Sequence, residues 1–291
     1  MTARLGQGDM RLPDWARLVI LASAVMQVGF GATLLIDPGA IGELWPWTLP
    51  PLSTRLLGAS ALVSVPLGLL AVWVNRFVAA MIPLAMMITY RVLQLVAGLI
   101  HVDRFEAFSL TTLNYFGGGA LMLAVYGYCL WAGAAGRLPE ARPGARWGKA
   151  APWLAPPAMP AVLTVLALVY ALLGLWFLFA GGNAAGFWID AGGLTPLTAR
   201  LFSSPLIGLG LGLYLCSRAS DWRAVMTPAV GLLTIGVAGT VALVLERSAL
   251  VTPTPVAWLI AATPPVLLLL GVWLIAARPP SEEKARVRLP G

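Results

Sequence analysis

Apolar residues fill this chain in long blocks, and short polar stretches separate them. Eight blocks reach the length of about 20 residues that a helix needs to cross hydrocarbon. They lie at about 15–36, 52–74, 77–101, 108–132, 158–180, 196–217, 222–245 and 254–277. Apolarity is spread around each block rather than alternating along it, so each reads as a helix that is hydrophobic on all sides. In lipid the backbone has no solvent partner, and a helix closes its own hydrogen bonds. The pattern therefore predicts an all-α integral membrane protein with eight transmembrane helices.

The blocks also recur. Leu49-Pro50-Pro51-Leu52-Ser53-Thr54-Arg55 is answered by Leu194-Thr195-Pro196-Leu197-Thr198-Ala199-Arg200. Met81 and Pro83 are answered by Met226 and Pro228, and Thr89, Val92, Val96 and Ala97 by Thr234, Val237, Val241 and Ala242. After a one-residue shift near Trp45, Ala40 and Gly42 are answered by Ala184 and Gly186. An internal repeat sets the architecture. Four spans fall in each copy, so both copies enter the membrane in the same direction, as two parallel four-helix repeats. The expected divisions are a first repeat (1–132), a cytoplasmic linker rich in Arg, Pro, Gly and Ala (133–157), a second repeat (158–277) and a charged cytoplasmic tail (278–291).

Composition agrees: apolar residues make up 59% and charged residues 11%, against about 25% charged in soluble proteins. Mean hydropathy is +0.85. The net charge of +7 is mostly a topology signal. Arg4, Arg11, Arg17, Arg76, Arg137, Arg218 and Arg223 fall on the side of the termini, with most other basic residues. Arg55, Arg104, Arg200 and Arg247 fall on the opposite side. The positive-inside bias then places both termini in the cytoplasm and the chain in a bacterial inner membrane. Basic residues also attract anionic lipid headgroups, so membrane lipids are the expected partners, with other membrane subunits next. No soluble domain carries the charge to a nucleic acid. Met1–Met10 has no apolar core, so the first span reads as an uncleaved anchor.

The third span carries the polar stripe. Tyr90, Arg91, Gln94 and His101 lie on it, and Arg91, Gln94 and His101 fall within about 80° of one another on a helix. Arg91 sits near the middle of its span, where a charge costs at least about 2.5–3.5 kcal/mol. Every acidic residue lies in a loop, a tail or a helix end. In the second copy Gly236, Gly239 and Glu246 stand where Arg91, Gln94 and His101 stand in the first. If the third and seventh helices face each other, those glycines leave room for the arginine.

Arg55 and Arg200 fall in or just after the first turn of their helices, where a cation opposes the helix dipole. Their expected partners are Asp37, Glu43, Asp103 or Glu106 for Arg55, and Asp190 or Glu246 for Arg200. Trp45, Trp47, Phe187 and Trp188 in the loops suit the headgroup interface. Gly117-Gly118-Gly119 and Ala262-Thr263-Pro264 weaken the fourth and eighth helices at corresponding positions. His101 is the single histidine and is expected to cap its helix or to pair with Glu106. Cys129 and Cys216 are the only cysteines and have no Cys-x-x-Cys spacing. No metal, cofactor or catalytic motif is indicated.

Leu194-Thr195-Pro196-Leu197-Thr198-Ala199-Arg200, followed by Asp221-Trp222-Arg223 and Pro228, and preceded in the first copy by Trp45-Pro46-Trp47, resembles an uncharacterised multi-span membrane protein family of high-GC bacteria, actinobacteria and their relatives. The first copy departs from it with Asn75-Arg76-Phe77. The resemblance covers most of the spans and implies no activity.

The leading functional expectation is a non-catalytic accessory, scaffold or lipid-binding subunit, because the spans hold few polar groups. The alternative is a carrier for an anionic or amphipathic small molecule, with Tyr90, Arg91 and Gln94 at mid-depth and Arg55, Arg200 and His101 at one mouth. A membrane enzyme acting on lipid or isoprenoid comes third. It would need His101, Glu246 and Asp103 in one pocket.

Overall fold

A computed structural model of the chain describes residues 10–40, 47, 49–140, 153, 155–190, 193–251 and 254–278. The described chain is helical throughout and contains eight helical spans long and apolar enough to cross a membrane. The first span is α1 (Asp14–Ile36). The second is α2 (Pro51–Leu62) followed by α3 (Ser64–Val74), and the third is α4 (Phe77–Ile100). The fourth starts as a single turn, α5 (Leu110–Thr112), widens into a π-helical segment at Leu113–Gly118 and continues as α6 (Gly119–Ala134). Then come α7 (Met159–Ala180), α8 (Pro196–Ser217), α9 (Trp222–Leu245) and α10 (Pro255–Ala276).

Local chemistry explains the helix ends. Thr195 Oγ1 accepts from the Thr198 amide at 3.2 Å, and Pro196 opens α8 with the ring in place of an orphan N–H. Pro50 and Pro51 open α2 without a side-chain cap. Asp221 caps α9, accepting from the Arg223 amide at 2.9 Å. At the corresponding point of the first half, Asn75 takes a left-handed conformation (φ 48°) and its side chain accepts from the Leu12 amide at 3.1 Å. That bond straps the chain ahead of α1 to the α3–α4 turn. Two irregularities interrupt the spans. Pro66 has no N–H for the Leu62 carbonyl, and the second span interrupts at Val63. The glycine-weakened fourth span widens into i→i+5 hydrogen bonding at Leu113–Gly118.

At the centre of the bundle stand α2, α4, α8 and α9. The α4 helix packs on α8, and α9 packs on α2 and α3. Around them α1 lies on α2 and α3, α6 on α4, α7 on α8, and α10 on α9. The α8 span is the most buried and α1 the least. Small residues let the helix axes approach. A Cβ on Gly58 would lie 2.8 Å from the Gly31 carbonyl, and one on Gly210 2.8 Å from the Ala167 carbonyl. The outward faces carry Leu18, Val25, Leu121, Val165, Leu168 and Leu269, all exposed, as a lipid-facing surface requires. Leu138 and Trp153, within the expected linker, are buried, and the Trp153 ring meets that of Trp222, at the start of α9, in a tilted contact with centroids 6.0 Å apart.

Candidate functional site

Two polar systems stand out in this apolar bundle. The first ties the chain halves together where α2 and α8 begin. Trp188, in the loop before α8, donates from Nε1 to Ser53 Oγ at 2.9 Å, and Asp190 Oδ2 accepts from the Ser53 amide and hydroxyl at 3.1 Å each. In the opposite sense, Trp47, in the loop before α2, donates to Thr198 Oγ1 at 3.0 Å. Ser53 and Thr198 are counterparts in the recurring motif. Two motif residues on, Arg55 forms an ion pair with Glu246 at 2.7 Å and donates to the Leu35 and Ile36 carbonyls at the end of α1. Its counterpart Arg200 donates from Nη1 to His101 Nε2 at 2.5 Å and lies over Gly181 at the end of α7.

These pairings correct the expectations from sequence. Glu246 belongs to Arg55, not Arg200. Asp190 holds Ser53 rather than Arg200, and His101 meets Arg200 rather than Glu106. Loop spacing could not reveal this, because each partner comes from the other half of the chain. Glu43 and Trp45 lie outside the described residues. Trp188 is not an interfacial anchor: it is 3% exposed and packs on Phe177 and Phe202. Since His101 Nε2 accepts a hydrogen bond from the arginine, the ring is neutral with its proton on Nδ1. Burial pushes its pKa below the usual histidine range, and the Arg200 cation lowers it further.

The second system is Arg91. Arg91 is 7% exposed and sits at mid-length in α4. Nη1 donates to Gln94 Oε1 at 2.7 Å, one turn along the helix, and the cation lies 5.4 Å from the Tyr90 ring centroid. Nε is buried with no hydrogen-bond partner among the described residues. None of the ion pairs among them uses Arg91. The side chain lines a small cleft, with Tyr90, Gln27, Ser60 and Ser64 as its polar neighbours. Ser60 and Ser64 give their hydroxyl protons to the Leu56 and Ala61 carbonyls. Tyr115, from the widened turn, donates to the Gln94 carbonyl at 2.6 Å.

The glycines opposite Arg91 in sequence do not make room for it. A Cβ on Gly236 would sit 2.4 Å from the Leu268 amide, and one on Gly239 2.8 Å from Pro264 Cβ. Both glycines seat α10 against α9. In the third and fourth spans, by contrast, Tyr115 and Phe116 of the widened turn pack on Gly98 of α4.

The site thus unites Tyr90, Arg91 and Gln94, whereas His101, Arg55, Arg200 and Glu246 form a separate layer near the helix ends. His101 and Glu246 each engage a different arginine. Among the described residues no three His, Cys, Asp or Glu side chains cluster where they could hold a metal ion. Gln27, Ser60, Ser64 and Tyr115 were not singled out from the sequence. The available signal was that Gln27 is an amide inside an apolar span and that Ser60 and Ser64 are spaced four apart on one helix face. Fold and site together define a polytopic helical membrane protein with a buried cation beside a cleft. No protein-family model matches the chain, and no curated protein or solved structure matches it either.

Proposed function

We propose that this is a multi-pass protein of a bacterial inner membrane, with cytoplasmic termini, that binds an anionic amphipathic molecule at Arg91 without transforming it. This makes it a lipid-binding protein or accessory subunit, and the same cleft would serve a carrier. We also propose that its spans form two parallel four-helix repeats about a pseudo-two-fold axis. The distribution of basic residues supports the topology. The reciprocal contacts support the repeat: Trp188 with Ser53 against Trp47 with Thr198, and Arg55 with Glu246 against Arg200 with His101.

The observation that carries the binding role is the Arg91 guanidinium, buried with an unpartnered Nε and lining a cleft. A buried cation lacking a counter-ion is costly, and removing it for an apolar group of similar length usually stabilises a fold. An anion in the cleft supplies the missing charge and can accept charge-assisted hydrogen bonds.

The test is gentle purification from native membranes, with mass spectrometry of everything retained, on the wild type, Arg91→Lys and Arg91→Met. An anionic lipid or metabolite should be retained by the wild type and Arg91→Lys and fall at least about tenfold in Arg91→Met, the loss of one charged hydrogen bond. Stripped of ligand, Arg91→Met should melt no lower than the wild type. An equal anion content in all three sinks the reading. A stoichiometric protein partner that replaces the anion makes the chain a complex subunit instead.

A further inference from the structure

The cleft beside Arg91 has a volume of about 40 Å³. At about 10–15 Å³ for each water-sized atom, it admits about three heavy atoms. Arg91 is the one charged side chain among its lining residues, and Val63, Leu67, Met86 and Leu209 make the surroundings apolar. The cation is only partly engaged. The bond from Nη1 to Gln94 Oε1 is the single hydrogen bond it makes among the described residues. Nε is buried and has no partner there. Nε and Nη2 share one edge of the planar guanidinium and hold their N–H bonds parallel, as a fork. Gln94 leaves that edge free.

We infer that the group bound at Arg91 is a carboxylate, held by two hydrogen bonds on the Nε–Nη2 edge. This rests on the Arg91 reading above. Three observations choose it. The first is size. A carbon and two oxygens fill the cleft, whereas a phosphate brings phosphorus and four oxygens. The second is charge. A carboxylate balances the single cation, but a phosphate monoester carries about −1.5 to −2 near neutral pH. It would leave net negative charge in apolar surroundings, where an unbalanced ion is costly. The third is shape. Two carboxylate oxygens match the two parallel N–H bonds of the free edge. Chloride meets the size and the charge, but it has no second oxygen for the fork.

The neighbouring apolar cleft has about 70 Å³, and Leu209 and Ile235 stand in the wall between the two. It offers no seat for a chain, so recognition falls on the head group. Two sources supply that chemistry: a fatty acid of the bilayer and a short free carboxylate.

The experiment uses the full chain, stripped of ligand, in nanodiscs of neutral phosphatidylcholine. Radiolabelled decanoate and decyl phosphate share a chain and differ in head group. Arg91→Met in the same nanodiscs gives the background from partition into the bilayer. Decanoate should bind saturably, depend on Arg91, and bind at least about tenfold more tightly than decyl phosphate. The preference between the heads is read on the wild type, so it does not hang on the folding of the variant. Competition by acetate as strong as by unlabelled decanoate identifies a short free carboxylate, and competition by decanoate alone identifies a fatty acid; both uphold the carboxylate. Chloride competing as well as acetate overturns it in favour of a monatomic anion. Arg91-dependent binding of decyl phosphate as tight as that of decanoate overturns the head group and leaves the Arg91 reading standing. No binding above background overturns the carboxylate alone if purification still retains an anion through Arg91, and both readings if it does not.

Discussion

Replacing Ser53 with alanine tests whether the contact between the chain halves is held as the geometry states. Ser53 is fully buried, and its hydroxyl has two partners: it donates to Asp190 and accepts from Trp188. Alanine keeps the backbone bond to Asp190 but removes both side-chain bonds. The bond to the carboxylate is worth about 1.5–3 kcal/mol, and the stranded indole N–H costs about 1–3 kcal/mol. Local relaxation lowers the sum, which leaves about 3 kcal/mol. The counterpart Thr198 provides the internal control. It is 1% exposed and its hydroxyl meets Trp47 and the Thr195 hydroxyl at 2.7 Å, with no carboxylate. Thr198→Val keeps the volume and breaks no bond to a carboxylate, and the Trp47 indole it strands is only half-buried, so it costs about 1–2 kcal/mol. Unfolding free energies of both variants, measured in one detergent by denaturant titration, decide the matter. If Ser53→Ala costs less than about 1 kcal/mol, or no more than Thr198→Val, then Asp190 does not anchor this contact and the reasoning is refuted.

Two further outcomes follow. His101 is neutral in its contact with Arg200, and its pKa is lowered by burial and then by that cation. The folded state thus binds fewer protons than the unfolded one, so the stability from this contact is present above the unfolded value of about 6.5 and is lost as pH falls below it. The thermal midpoint should fall on acidification, and His101→Gln should flatten that dependence; an unchanged slope in the variant removes His101 from the latch. In the second half, Gly236→Ala should cost more than about 2 kcal/mol, because the new Cβ meets the α10 backbone at 2.4 Å. Gly127→Ala, with nothing within 4 Å, should be neutral or stabilising by up to about 1 kcal/mol. Equal thermal stabilities for the two glycine variants would contradict the close seating of α10 on α9.

How much was readable from the chain alone depended on the range of the interaction involved. Helix positions followed from runs of apolar residues, and the observed spans end within a few residues of the expected ones, because insertion is decided segment by segment. The start of α8 at Thr195 and Pro196 was legible for the same reason, since capping acts within one turn. The widening at Leu113–Gly118 was half legible: the glycines marked a weak place, and packing around Tyr115 and Phe116 decided its form. The break at Val63 was missed, although Pro66 was its visible cause.

The candidate site divides similarly. Arg91, Gln94 and Tyr90 stood out because a cation and an amide in an apolar span break the pattern, and helical geometry alone puts Arg91 and Gln94 in contact. What lies across from them was decided by tertiary structure. A membrane surrounds every span with the same apolar solvent, so hydrophobicity carries no information about which helix meets which. Neighbours are chosen instead by the fit of small residues and by a few polar pairs, and these join positions more than a hundred residues apart, as Trp47 joins Thr198 and Arg55 joins Glu246. The sequence by itself therefore determined the eight apolar helices and the residues too polar to be at rest in lipid. Only the packed structure decided that Glu246 neutralises Arg55, that Gly236 seats α10, and that Arg91 lies buried beside a cleft with no acidic partner among the described residues.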